Sequence, residues 1–143
     1  MAGPTAFEDT GLRCGLVLPH KSRLLYEDIA NAFRSERESL LVLFADREYR
    51  LLAAEWIGQG SLTSVRCTWR SLFAQALAHD SRAILIAHNH PSGSVAPSAV
   101  DLAATQQIAR MAGLLGIQLL DHLIVAGSAV HSMRAAGQIK ACG

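Results

Sequence analysis

The stretch AILIAHNHPSGSVAPSAVD, residues 83–101, decides how this chain is read. It opens with an apolar run, Ala83 to Ala87, short enough and branched enough to be a buried strand. HNHPSGSVAPS follows, and its Pro, Gly and Ser mark a loop. Ser98 and Asp101 then stand in a Ser-x-x-Asp helix start, preceded by Pro97 and followed by an apolar face of Ala104, Ile108, Met111, Ala112 and Leu115. Side chains two apart on a strand point the same way, so His88 and His90 at the strand end converge on one point. A carboxylate in a helix's first turn is favoured by the helix dipole and is aimed back toward the incoming loop. His88, His90 and Asp101 are therefore candidate ligands of one metal ion. Two imidazoles and a carboxylate leave the fourth position of a tetrahedral zinc open to water, which separates a catalytic zinc site from a structural one. Taken singly, each part has a plainer reading. Ser98 and Asp101 suffice as a helix cap, and the two histidines as loop hydrogen-bonders. Capping and coordination are compatible.

Working outward, Leu25, Ile29 and Phe33 recur at helical spacing from Ser22 onward, with Ala32 beside them. LLVLFA (40–45) and LLAAEWI (51–57) read as two strands of a hairpin around the polar DREYR, ended by Gly58 and Gly60. Trp69, Leu72, Phe73, Ala76 and Leu77 line one face of a second helix. IQLLDHLIV (117–125) reads as a strand and Ala129 to Met133 as a short return strand. Asp121 and His122 are adjacent, so at most one of them faces the site; the readings are a carboxylate that holds a ligand imidazole or structural hydrogen bonding within the sheet. The order α-β-β-α-β-α-β predicts an α/β fold, a mixed sheet flanked by helices, in a single domain spanning residues 22–143. Residues 1–21 lack periodicity and are expected to form a flexible N-terminal lead-in.

Composition sets the outer bounds. The 143 residues are half hydrophobic and 17% charged, which is globular and excludes a disordered acidic or basic tail protein. Thirteen Lys plus Arg against twelve Asp plus Glu leave a net charge of +1, which argues against nucleic acid as a direct ligand. Cys14, Cys67 and Cys142 are scattered and form no Cys-x-x-Cys pair, so neither a disulfide framework nor a thiolate zinc site is expected. With no signal-peptide pattern and no run of roughly 20 apolar residues, a cytoplasmic protein without a membrane partner is expected.

His-x-His at 88 and 90, with Ser98 and Asp101 downstream, matches the JAMM motif of the MPN/JAB metalloprotease fold, which is cytidine-deaminase-like. HNHPSG, APSAVD and LLDHLIV more specifically resemble the bacterial RadC (UPF0758) family. The resemblance runs from about Ser22 to Gly137, is most specific from Ala87 to Val125, and extends to SMRAAG at 132–137. It implies zinc on His88, His90 and Asp101, with Ser98 hydrogen-bonding the developing oxyanion. It also implies a catalytic Glu just before the first core strand, which the register of ESLLVLFAD places at Glu38. Glu38 stands where a helix meets a strand; Glu55, which interrupts an apolar strand, is the alternative general base.

Two departures stand out. The relatives' N-terminal helix-hairpin-helix extension is not expected to fit in a chain of this length, and their Pro-Arg-Glu before the central helix is Trp69-Arg70-Ser71. The function so implied is a zinc-dependent peptidase or isopeptidase acting on a peptide or protein. Two alternatives are a DNA-repair-associated accessory or nuclease-type protein and a non-catalytic MPN interaction module. His-Asn-His is consecutive here, unlike the dispersed residues of HNH nucleases. The long apolar-faced helix offers a homodimer surface.

Overall fold

Runs of aliphatic residues bounded by polar turns have hydrogen-bonded into one sheet, because a chain that buries such runs must pair their backbone groups. The computed structural model describes residues 12–18, 23–33, 37–59 and 65–140. In chain order these form α1 (Arg23–Ala32), β1 (Ser39–Ala45), β2 (Leu51–Gln59), α2 (Val65–Ala78), β3 (Ala83–Asn89), α3 (Ala99–Leu114), β4 (Gln118–Ala126) and β5 (Ala129–Ser132). The strand order is β2-β1-β3-β4-β5. β1 pairs antiparallel with β2 and β3, β3 is parallel to β4, and β4 turns back antiparallel into β5. This is the α/β mixed sheet with flanking helices that the element order predicts.

Two apolar layers hold the sheet. On one face Leu40, Val42, Phe44, Ile84 and Ile86 pack with Leu72, Phe73 and Ala76 of α2 and with Ile108 and Ala112 of α3. On the other, Leu41, Leu43, Leu85, Leu123 and Val125 pack with Leu25 and Ile29 of α1. Each fully buried aliphatic side chain contributes about 1.5–3 kcal/mol. β1 and β3 are covered on both faces, which explains why they read as unbroken apolar runs rather than alternating ones.

Three details differ from the expectation. β3 runs on through His88 to Asn89, so the first histidine is a strand residue and not the start of a loop. β2 continues through Gly58 to Gln59 instead of stopping, and Gly60 lies outside the described residues. Of the expected flexible lead-in, residues 12–18 are tied down: Val17 bridges Arg50, the Leu18 amide donates to Tyr49 O at 2.8 Å, and Leu12 and Leu18 are buried. Residues 1–11 and 19–21 lie outside the described residues. Among the described residues no helix is long and apolar enough to cross a membrane.

Asp121 faces away from His122, as strand alternation requires, and closes the end of the chain. It accepts from the Ser132 hydroxyl at 2.5 Å, from the Arg134 amide at 3.0 Å and from the His122 amide at 2.7 Å. Arg134 in turn donates from Nε to Leu120 O and from its terminal nitrogen to Leu119 O. Removing this carboxylate strands three donors in a buried or part-buried setting, so Asp121→Ala is expected to lower stability by roughly 2–3 kcal/mol. Urea unfolding checks this, and an unchanged midpoint contradicts it.

Candidate metal centre

β3, the loop after it and α3 bring three of the expected side chains together. His88 is the penultimate residue of β3 and is buried; His90 follows the strand and is half-buried. Pro91, which lacks an N–H, follows at once, and Gly93 turns the chain at φ +90, with its amide donating to His90 O at 3.1 Å. The turn returns the Ser94 carbonyl to His90 Nδ1 at 2.8 Å. α3 then begins with a reciprocal cap. The Asp101 amide donates to Ser98 Oγ at 3.0 Å, while the Ser98 amide donates to Asp101 Oδ2 at 2.8 Å. That cap fixes the carboxylate facing the histidines, with Oδ1 3.3 Å from His88 Nε2 and Oδ2 3.0 Å from His90 Nε2. One donor atom from each of His88, His90 and Asp101 lies within 4.8 Å of the others.

The hydrogen bonds settle which nitrogens carry protons. The Ser94 carbonyl only accepts, so His90 Nδ1 donates, and a neutral His90 keeps a lone pair on Nε2. The route to His88 is longer. Thr105 Oγ1 lies 2.6 Å from the Asp101 carbonyl, which also only accepts, so the hydroxyl proton goes there rather than to the more distant Met133 sulfur at 3.7 Å. Thr105 Oγ1 therefore accepts from His122 Nδ1 at 2.6 Å. His122 is fully buried, and desolvation, reinforced by the nearby His88, lowers its pKa to about 3. It is neutral at ordinary pH, so its Nε2 accepts from His88 Nδ1 at 2.6 Å. A neutral His88 then keeps its lone pair on Nε2.

Two imidazole lone pairs thus face each other across 2.9 Å beside a carboxylate. Electron-rich atoms packed this closely repel unless a proton or a metal cation sits among them. Burial raises the Asp101 pKa, but the adjacent His88 ring and hydrogen bonding to Ser98 outweigh it and hold the carboxyl well below the usual carboxylate range. With the two rings neutral and the carboxyl ionised, the three groups are a donor set that a divalent ion takes. The mixed nitrogen and oxygen donors suit zinc.

Ser98 sits at the α3 N-cap on the exposed rim of this cluster, its oxygen engaged by the Asp101 amide and its proton available to donate. Glu38 lies immediately before β1 and is half-buried. Leu40 pairs with His88, so Glu38, two residues before Leu40, lies at the same end of the β1–β3 pair as the histidines. Glu55 is placed elsewhere. It lies on β2, with β1 between it and β3, and its carboxylate is 3.8 Å from His79. His122 and Thr105 are the members that spacing alone did not single out. Thr105 is four residues after Asp101, on the same helix face, which is the signal that was present.

Strand, turn and capped helix presenting a His-x-His/Asp cluster at one sheet end define a JAB-type domain with a JAMM-like metal site. The chain belongs to the RadC-like JAB domain family, whose model matches residues 20–138. Among curated proteins it is similar to UPF0758 proteins. That of Cupriavidus pinatubonensis is 39% identical over 104 residues, 73% of this chain and 46% of the relative. That of Delftia acidovorans is 42% identical over 104 residues, again 73% and 46%. That of Bordetella bronchiseptica is 38% identical over 102 residues, 71% and 45%. The chain spans about half the length of the curated relatives it matches.

If His122 and Thr105 set the tautomer of His88, removing them weakens metal binding without touching a ligand. Thr105→Val and His122→Ala are each expected to lower zinc affinity by roughly 10–100-fold. Titration calorimetry on folded protein reads this, and wild-type affinity in both variants contradicts it.

Proposed function

We propose that this chain is a zinc-dependent hydrolase of peptide or isopeptide bonds. The observation that carries the reading is the convergence of His88, His90 and Asp101 with their lone pairs turned inward and their outer atoms already bonded. A zinc ion held there supplies a Lewis acid and lowers the pKa of water to about 7.

The chain's own residues do the rest. The carboxylate of Glu38 takes a proton from the attacking water and passes it to the departing amine as the C–N bond breaks. Ser98 is already fixed by the Asp101 amide and donates its hydroxyl hydrogen to the substrate carbonyl oxygen as charge develops there. Asp101 thereby acts twice, as a ligand and as the partner that orients Ser98. His122 and Thr105 fix the His88 ring orientation and hold its Nδ1 proton on the side away from the cluster. The exposure of Ser98 and the half-burial of Glu38 and His90 fit a cleft open to an extended chain, so the substrate is a peptide or protein.

Metal analysis and turnover test the reading together. Protein purified without added zinc is expected to hold near-stoichiometric metal, and His88→Ala and Asp101→Asn to lose it. Glu38→Gln is expected to keep the metal and to lose about 10²–10⁴ in turnover on linear or isopeptide-linked peptides. Absence of zinc in every preparation, even after incubation with the ion, overturns the reading, as does full activity in Glu38→Gln.

A further inference from the structure

Between the two candidate histidine ligands stands Asn89, and strand alternation turns its side chain to the opposite face of the sheet. It is buried, at 6% exposure, and its amide group is committed at both ends. Oδ1 accepts from the Ser39 amide at 2.7 Å, and Nδ2 donates to the Arg37 carbonyl at 3.0 Å. These are the backbone groups immediately before and after Glu38. A second, longer bond reaches the Arg37 carbonyl from the Ser39 hydroxyl at 3.4 Å.

The carboxamide has the donor and acceptor of a peptide group, and here it acts as one. The β1–β3 ladder pairs Leu40 with His88, and beyond that the main chain of β3 leaves β1, with the His90 amide donating to Val125 O at 2.8 Å. Where the strands part, the Asn89 side chain takes over the pairing and holds the segment 37–39 against the end of β3. A residue with one polar atom, or with a longer side chain, does not span both groups at these distances.

We propose that Asn89 is a positioning residue that fixes the Glu38 backbone, and hence its carboxylate, beside the His88/His90/Asp101 cluster. The inference rests on the reading of Glu38 as the general base. It gives the residue between the two histidines a task that neither metal ligation nor core packing supplies: one strand end presents ligands on one face and secures the proton carrier from the other.

The test uses the full chain and zinc alone, so no substrate is required. The ¹³C carboxyl resonance of Glu38 is followed near neutral pH before and after zinc addition, in wild type, Asn89→Asp and Asn89→Ala. Calorimetry runs alongside. Asn89→Asp keeps size and the acceptor for the Ser39 amide but sets an oxygen against the Arg37 carbonyl, so it is the variant that retains the fold if Asn89→Ala does not. The expected result is a zinc-induced shift of Glu38 in wild type that is largely lost in Asn89→Asp, while zinc still binds stoichiometrically. A Glu38 shift equal to wild type in Asn89→Asp overturns the proposal and leaves the general-base reading standing. No Glu38 shift in zinc-loaded wild type, or no zinc binding, overturns both.

Discussion

Everything at this site depends on holding the inward nitrogens of two imidazoles 2.9 Å apart and beside a carboxylate, an arrangement that electrostatics opposes unless a proton or a metal cation lies among them. It persists because the other nitrogen of each ring is engaged. His90 is held by the Ser94 carbonyl and His88 by His122, which is itself held by Thr105. Both chains of bonds end on backbone carbonyls, which only accept, so the proton positions follow without choice. The fold's contribution is rigidity. β3 and β4 lie side by side within the sheet, α3 packs against the same face, and the capping box fixes the first turn of α3 as it leaves the loop.

That dependence explains how the sheet is used. A parallel β3–β4 pair sets His122 beside His88, because the ladder matches Ile86 with His122 and His88 with Ile124. The antiparallel β1–β3 pair brings Glu38 to the same end from the other side. Both neighbours of β3 therefore contribute at this end, β4 with the histidine that orients His88 and β1 with the segment that carries Glu38. Asp121, on the opposite face, serves the closing turn instead. Adjacent polar residues on one strand have been given separate tasks by alternation alone.

Much of this was legible in the chain. Period-two spacing joined His88 to His90, and the Ser98/Asp101 cap aimed the carboxylate, since both are local rules that need no tertiary knowledge. The hairpin, the long helix and the mixed sheet followed from runs and breaks. Glu38 was reachable through family resemblance but not through local pattern, because its placement depends on strand pairing across fifty residues. His122 stood out as a polar residue in an apolar strand, yet its role required knowing which strand lies beside β3. Thr105 and Asn89 were hidden for the same reason. A threonine inside a helix and an asparagine inside a motif carry no signal until their partners are in place. The strand end at Asn89 was misjudged because the polar HNHPSG outweighed the pairing with β1 and β4.

The central claim is that these three side chains form one zinc site of two imidazole nitrogens and a carboxylate oxygen. X-ray absorption at the zinc edge, on zinc-loaded full-length chain, tests it most directly. The expected spectrum shows only nitrogen and oxygen neighbours at about 2.0–2.2 Å, with the multiple-scattering pattern of two imidazoles that falls to one in His90→Ala. A sulfur neighbour near 2.3 Å, or a histidine count unaffected by that substitution, would contradict it.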